Sequence, residues 1–561
     1  MDNRQTLSMF AQGTNAHRSS RVSSTMTSMN DDHQDLEING FNNFGQEDLH
    51  RQYRSSRLNS LRFLPDNILL AVFSYLTPLD LIHCTHVCHR WHQLVSHHSN
   101  LWQRLYLRPD SSNGNSGAVH VRRLDIFLHA IATRFNLSLL YIDLPIELIT
   151  TEVLRELANR CPNLEYLTLD FSSAMQLHDF SDLNEFPCNL KRLCICLSEV
   201  IFLEGFMRRI YSFLSSLHTL HIVGTLEKSS LTSTTAPEET DNYETINISK
   251  IKANAPNLRI INLYGVAFVD DNHIEAIASG CIHLECLALN FCTKVIGTSF
   301  KNLMNRCRKL TCLLLQNTGI QDEPIMAVNW STTQLTELDI SSTDLNEQAL
   351  LHFFSSVPNL TYLAVPYCDG FTDEVLDLLI TRGVLNTCRA LDFSNTVNLS
   401  LESVHRFLTS YTNISNRLEA LSYTGNVGIN EQFWTDAIRF LRRIKILIIG
   451  TAHSWFKQVT RRIHIDQILE SCAVNCPHLR RLEIQWDPET LRLSENSSKF
   501  IDHLRIRCTH LTSFVLSDGP YYEGAKANFE RAERHGVVRT ITMYQTSIVG
   551  ALNFYNELRF N

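Results

Sequence analysis

The sequence is short of the features that most often announce an activity. It has 20 glycines in 561 residues and no P-loop, HExxH, GxSxG or glycine-rich nucleotide fingerprint. Phosphate-cradling loops and the common hydrolase and metalloprotease motifs are therefore not written in it. No CxxC pair occurs among its 16 cysteines, so neither a zinc knuckle nor a dithiol redox motif is indicated. No apolar run reaches the length of a membrane span. The opening "MDNRQTLSMFAQGT" lacks the apolar core of a secretory signal. Positive charge is scarce as well. The formal net charge is −8, whereas a nucleic-acid binder carries a basic surface. These absences predict a cytoplasmic or nuclear protein with no membrane or nucleic-acid partner, no cofactor and no metal, whose cysteines are thiols.

What the sequence has in abundance is a repeat. "CPNLEYLTLDFS" begins at Cys161, "CIHLECLALNFC" at Cys281, "CRKLTCLLLQNT" at Cys307, and "PNLTYLAVPYC" follows. The shared frame is L-x-x-L-x-L. Its first position recurs at Leu137, Leu164, Leu190, Leu217, Leu258, Leu284, Leu310, Leu335 and Leu360, then at Cys388, Leu418, Ile444, Leu479, Leu511 and Val538. Within a frame, apolar residues alternate with period two, as in a short strand with one buried face. Between frames the period changes to helical. "TDEVLDLLITRG" places Val375, Leu376, Leu379 and Ile380 on one helical face. Thr372 is a predicted N-cap, acids fill the first turn, and Gly383 is a stop. "NEQALLHFFSSV" and "SLESVHRFLTSY" repeat the design. One strand–turn–helix unit cannot bury its own apolar face, but stacked units can.

These frames resemble the cysteine-containing leucine-rich repeat. The resemblance implies that the residue three past the last frame position bonds backbone in the turn. Cys292, Cys368 and Asn426 match it there, with hydroxyls at Ser172, Ser198, Thr318, Thr343 and Thr396. A second set, Cys161, Cys281, Cys307, Cys476 and Cys508, precedes the first Leu by three and reads as small buried hydrophobes.

Upstream lies "LRFLPDNILLAVFSYLTPLDLIHCTHVCHRWHQLVSHHSNLWQRLYL", Leu61–Leu107. Ile68, Leu69, Val72, Phe73 and Leu76 make one helical stripe. Pro78 opens a second helix, capped by Thr77, whose stripe runs through Leu81, Cys84, Val87, Cys88, Trp91 and Val95. Six histidines and two cysteines fall within His83–His98. They invite a metal reading, but the cysteines share the apolar stripe and the histidines fall largely off it. The spacing is also too short to fold a finger around zinc. Three short helices in so few residues make a poor independent core.

This segment resembles the F-box, on Leu64-Pro65, the Ile68/Leu69/Val72/Phe73 stripe, Tyr75-Leu76, Leu79 to Leu81, Val87-Cys88-x-x-Trp91 and Leu101-Trp102. Asn67 and His89 depart from the family's usual acid and base. The resemblance implies docking on a Skp-family adaptor of a cullin–RING ubiquitin ligase. Leu64, Pro65, Ile68, Leu69, Val72 and Phe73 would face the adaptor. Leu76, Leu81, Val87, Cys88, Trp91 and Trp102 would be shared between the adaptor and the module's own core.

The whole is similar to the F-box/leucine-rich-repeat family. The fold expected is α/β: a disordered segment over 1–57, a three-helix module over 58–107, and a curved repeat solenoid over 108–561 with a Ser/Thr-rich acidic insertion near 226–248. The function implied is a non-catalytic receptor that holds a target near a ubiquitin-charged enzyme, with an interaction scaffold outside the ligase as the alternative. Residues between the buried frame positions form the concave face. Tyr362, Ile446 and Ile448 are the expected apolar anchors for the target. Acids outnumber Arg and Lys on this face, which argues against a phosphorylated target motif read there.

Overall fold

The computed structural model describes residues 64–76, 78–105, 107, 124–171, 180–197, 204–224, 248–266, 268–425, 428–450, 463–486, 491–492, 494, 496–517, 520–530 and 537–541. The 1–57 segment, most of the 226–248 insertion, Thr77, Ser172, Ser198, Asn426 and the final "NFYNELRFN" lie outside the described residues. The chain divides into two compact units, Met1–Asn262 and Leu263–Asn561, so the division falls within the repeats.

The first unit opens with helices α1 (Asp66–Phe73), α2 (Pro78–Thr85) and α3 (His89–His97). Strands β1 (Arg104–Leu105), β2 (Tyr141–Pro145), β3 (Tyr166–Asp170), β4 (Arg192–Cys196), β5 (Thr219–Val223) and β6 (Ile260–Asn262) follow. Each pairs in parallel with the next. Helices such as Thr151–Arg160 and Glu204–Ile210 lie between successive strands, as parallel connections require.

The second unit repeats the plan with β7 (Cys286–Ala288), β8 (Cys312–Leu314), β9 (Glu337–Asp339), β10 (Tyr362–Ala364), β11 (Ala390–Asp392), β12 (Ala420–Tyr423) and β13 (Ile446–Gly450). Here β14 (Ile463–His464) and β16 (Leu491–Arg492) form a small separate pair. The main sheet continues through β15 (Arg481–Gln485), β17 (Ser513–Ser517) and β18 (Val538–Ile541). This is a leucine-rich-repeat-like stack in each unit.

The frame positions from Leu164 to Leu511 are core: Leu164, Leu217, Leu284, Leu360 and Leu479 are fully buried. The two end frames are phased differently from the sequence reading. Leu137 is 65% exposed, and Leu139 takes the buried first position at 0%. "LSLLYIDL" satisfies the pattern from either leucine, and pairing of Tyr141 with Tyr166 selects the second. At the other end Val538 pairs with Phe514, a second-Leu position, so Val538 does not open its frame.

The turns explain how the units stack. After each of strands β7 to β11 one residue adopts a left-handed conformation: Phe291, Asn317, Ser342, Tyr367 and Asn395 have φ between 52° and 64°. That conformation costs L-residues roughly 1–2 kcal/mol. It is held because each amide is aimed at the next repeat. The N–H of Phe291 donates to the Gln316 carbonyl at 2.7 Å, Asn317 to Ser341 at 2.8 Å and Asn395 to Thr424 at 2.7 Å. The following residue closes the turn. Cys292 Sγ donates to the Leu263 carbonyl at 2.9 Å and Cys368 Sγ to Ile340 at 2.8 Å. Thr318 and Thr343 donate their hydroxyls to carbonyls of their own turns at 2.7 Å, and Thr396 reaches Val365 at 3.1 Å. Cys161, Cys281, Cys307, Cys476 and Cys508 are buried C-caps of their helices. Burial pushes the thiols of Cys161, Cys292, Cys307 and Cys368 up to about 12.

First-turn acids do more than complement a helix dipole. The Asp271 carboxylate accepts N–H groups of Ile296, Gly297 and Ser299 in the next repeat at 2.7–3.0 Å. Asp373 accepts from Ser400 at 2.8 Å and Asp466 from Ser494 at 2.9 Å. Caps form as expected at Asn346 and Ser400. Thr372 is the N-cap residue of helix Asp373–Thr381 without a side-chain cap bond; its hydroxyl donates to Glu347 instead.

Candidate functional site

The helical module separates an apolar stripe into two halves. On α1, Leu69 and Phe73 are each 1% exposed and turn inward, where the Phe73 ring meets Trp91 edge-on with centroids 5.0 Å apart. Ile68 and Val72, one helical turn apart on the other side, are 45% and 50% exposed. Tyr75, in the turn after α1, is 89% exposed, and Val87, between α2 and α3, is 62% exposed. Leu81 and Val95 are fully buried. Pro65 and Cys88 are exposed, while Leu64, Leu76 and Trp91 are half-buried. Of the residues expected to face an adaptor, Leu69 and Phe73 thus serve the module's own core, as Leu81 does among the shared set. The helical period placed all four α1 residues on one broad face. The neighbouring helices cover only half of it.

The start of α1 is tied down by Arg90. Its guanidinium donates to the Leu64 carbonyl at 2.5 Å and to the Asp66 carboxylate at 2.8 Å. The expected stripe through Val87 and Cys88 is broken, because the chain leaves the helix after Thr85 and re-enters at His89. Cys88 is the N-cap there, and its sulfur accepts the Trp91 N–H at 3.5 Å. The histidines point to local partners: ring nitrogens of His97 and His98 bond the carbonyls of Gln93 and Leu94 at 2.8 and 2.9 Å. His92 is held below the usual imidazole range, first by burial and then by His89, Arg134 and other nearby bases. Among the described residues no group of three or more His, Cys, Asp or Glu is arranged to hold a metal ion.

The module is welded to the first repeats. Trp102 is 2% exposed. Its indole N–H donates to the Val95 carbonyl at 3.0 Å, its ring meets Phe135 edge-on at 5.6 Å, and the Arg134 guanidinium lies 5.5 Å above it. The amides of Leu140 and Tyr141 both donate to the Gln103 carbonyl, at 2.8 and 3.0 Å. The Leu107 N–H donates to the buried Asp143 carboxylate. Trp102 therefore belongs to the joint with the repeats, not to a free surface of the module.

The sheet face expected to hold the target is corrected by burial. Tyr362, Ile446 and Ile448 are 6%, 3% and 4% exposed. They do point to the face opposite the frame leucines. But Tyr362 lies opposite Glu337 and Ala390, Ile446 opposite Ala420 and Arg481, and Ile448 opposite Ser422 and Glu483. With strands under 5 Å apart, these flanking residues close over them. Arg481 is committed to Glu483, at 2.8 and 3.1 Å, and Glu483 is fully buried. Asp339 and Asp392 are buried on this face and pushed up to about 6 by that burial, against hydrogen bonds from Ser341 and Ser394. In the first unit the same face is less fully covered, although Asp143, Thr168 and Thr219 on it are buried. Tyr141, Tyr166, Arg192, Cys194 and His221 are half-buried there, with the Arg192 guanidinium 5.4 Å from the Tyr166 ring centre. Tyr75 and Arg90 are the module residues that the pattern did not single out as functional.

Among the described residues no helix is long and apolar enough to cross a membrane. Residues 61–108 match the family model described as F-box-like. The chain is 24% identical over 288 residues to a BTB/POZ domain-containing protein, FBL11, of Arabidopsis thaliana, covering 45% of this chain and 30% of that protein. It is 27% identical over 138 residues to F-box/LRR-repeat protein 12 of Bos taurus, covering 23% of this chain and 38% of that one. The matched part thus spans well under half the length of either relative. Two solved structures share 16% identity: an internalin from Listeria monocytogenes, covering 76% of this chain and 90% of that one at a TM-score of 0.30, and the yeast Rad7 and Elc1 complex, covering 77% and 94% at 0.38.

Proposed function

We propose that this chain, an F-box-like domain followed by a leucine-rich-repeat-like parallel sheet, is the target-recognition subunit of a Skp–cullin–F-box ubiquitin ligase. The observation that carries this reading is the outward half of the module. Ile68, Val72 and Tyr75 are large and exposed, while Leu69 and Phe73 of the same stripe are buried in the core. Exposed apolar side chains grouped on one short segment mark a surface that a partner covers. The adaptor contact is accordingly assigned to Ile68, Val72 and Tyr75, with Pro65, Val87 and Cys88 around them and Leu64, Leu76 and Trp91 partly available. The chain's contribution to the reaction is proximity: it raises the effective concentration of a target lysine near the charged enzyme.

Target contact is assigned to the less covered sheet face of the first unit, at Tyr141, Tyr166 and Arg192. Tyrosine and arginine are the residue types that dominate interface energies. Trp102 joins the helical module to these repeats through Val95, Phe135 and Arg134.

The test is co-purification from cells. The wild-type chain brings down a Skp-family adaptor and a cullin, and Ile68→Asp with Val72→Asp loses both. Retrieval of adaptor without cullin would point to a scaffold outside the ligase. Retrieval of neither by the wild type would overturn the reading.

A further inference from the structure

We propose that Cys194, served by His221, is a nucleophilic site for α,β-unsaturated carbonyl compounds on the half-buried sheet face of the first unit. Strands β4 and β5 pair in parallel with Cys194 directly opposite His221. Partners in register project from the same face roughly 5 Å apart. Arg192, two residues before Cys194, shares that face, as does Cys196 two residues after it. All four residues are half-buried, not closed off. Neither thiol is in a disulfide. Among the described cysteines Cys88 is also exposed, at a helix N-cap beside His89, but it lies outside any strand and has no imidazole across a strand pair. Cys286 and Cys312 are also register partners on a sheet face, but they are 1% and 0% exposed and have each other for a neighbour in place of an imidazole. Cys188 is exposed but lies outside any strand.

The chemistry follows from the residue types. The thiolate is the reactive form of cysteine, and an adjacent imidazole takes up the thiol proton as the sulfur attacks. The sulfur bonds the β-carbon of the unsaturated carbonyl, and the carbon–carbon π bond breaks. Its electron pair moves toward the carbonyl oxygen as an enolate, on the face where Arg192 supplies positive charge. The α-carbon then takes the proton back from His221. One C–S bond and one C–H bond form, one S–H bond and one π bond are lost, and nothing is oxidised or reduced. The site stands whether or not the chain serves a ligase.

N-ethylmaleimide is the probe, used in limiting amount on the full chain, with each cysteine followed over time by peptide mass spectrometry. In the wild type, Cys194 is modified faster than the more exposed Cys188, and Cys286 lags far behind both. Cys188 reacting first would overturn the proposal with no variant needed. His221→Gln slows Cys194 by about tenfold or more, in line with the loss of a positioned base, and leaves Cys188 unchanged. An unchanged Cys194 rate in that variant would also overturn it. Cys196→Ser leaves the Cys194 rate intact; a fall there would assign the reactivity to the wrong thiol.

Discussion

The repeats and the helical module treat their apolar residues in opposite ways. In the repeats, the frame positions from Leu164 to Leu511 close inward, and exposure on the sheet face comes from polar and aromatic residues between them. In the module the stripe is divided, with Leu69, Phe73, Leu81, Val95 and Trp102 inside and Ile68, Val72, Tyr75 and Val87 outside. A stack supplies each unit with neighbours on both sides, so its hydrophobic pattern is satisfied within the chain. A three-helix module has too few neighbours, and what it leaves uncovered is available to another protein.

That contrast breaks most sharply on α1 itself. Phe73→Ala removes a buried ring packed on Trp91 and is expected to cost about 3–5 kcal/mol. Ile68→Ala, at a 45% exposed position, is expected to stay within about 0.5 kcal/mol. Denaturant melts of the two variants measure the difference, and equal costs would erase the division between inner and outer halves. The repeats offer the parallel case. Leu139→Ala should cost about 2–5 kcal/mol and Leu137→Ala within about 0.5 kcal/mol. The reverse order would restore the frame phase that the sequence pattern first suggests.

A smaller effect sharpens the account of the second unit's closed face. Asp339 and Asp392 have an ordinary value of 3.8 and are raised to about 6 in the folded chain by burial. Between those values the folded state binds more protons than the unfolded state, so stability falls as pH rises from about 4 to about 6 and stays lower above that. Asp339→Asn with Asp392→Asn should flatten this slope and raise Tm at pH 7.5, keeping an acceptor for the Ser341 and Ser394 amides. A Tm that falls at pH 7.5 would show that the charged forms are stabilising. Smallest of all is the Arg90–Asp66 pair, whose side chains are 37% and 59% exposed. Asp66→Asn should cost under about 1 kcal/mol, read in the same melts.

The interior of the repeat array was legible because strand alternation, helix faces and turn residues all carried one phase. Legibility failed at the ends, where Leu137 and Leu139 both satisfy the motif and no preceding repeat frame in the sequence fixes the choice. It failed again where lateral packing matters. Alternation told which way Tyr362 and Ile446 point, but not that Glu337, Ala390, Ala420 and Arg481 cover them. On α1 the stripe was read as a single surface, since helical period gives direction and not which neighbours arrive. The helix break at Cys88 was hidden by an apolar spacing that continues across it. The bonds from Asp271 and Asp373 to the following repeat were invisible because they join residues 25 or more apart.

The central claim is that the outward half of α1 is an adaptor surface. Its most direct measurement is a titration of purified Skp-family adaptor into the full chain, wild type and Ile68→Asp with Val72→Asp, with melts confirming equal folding. The account predicts saturable one-to-one binding by the wild type and a loss of about 100-fold or more in the variant, as expected for removing central apolar anchors. Equal affinity in the two chains, or no binding by the wild type, would contradict it.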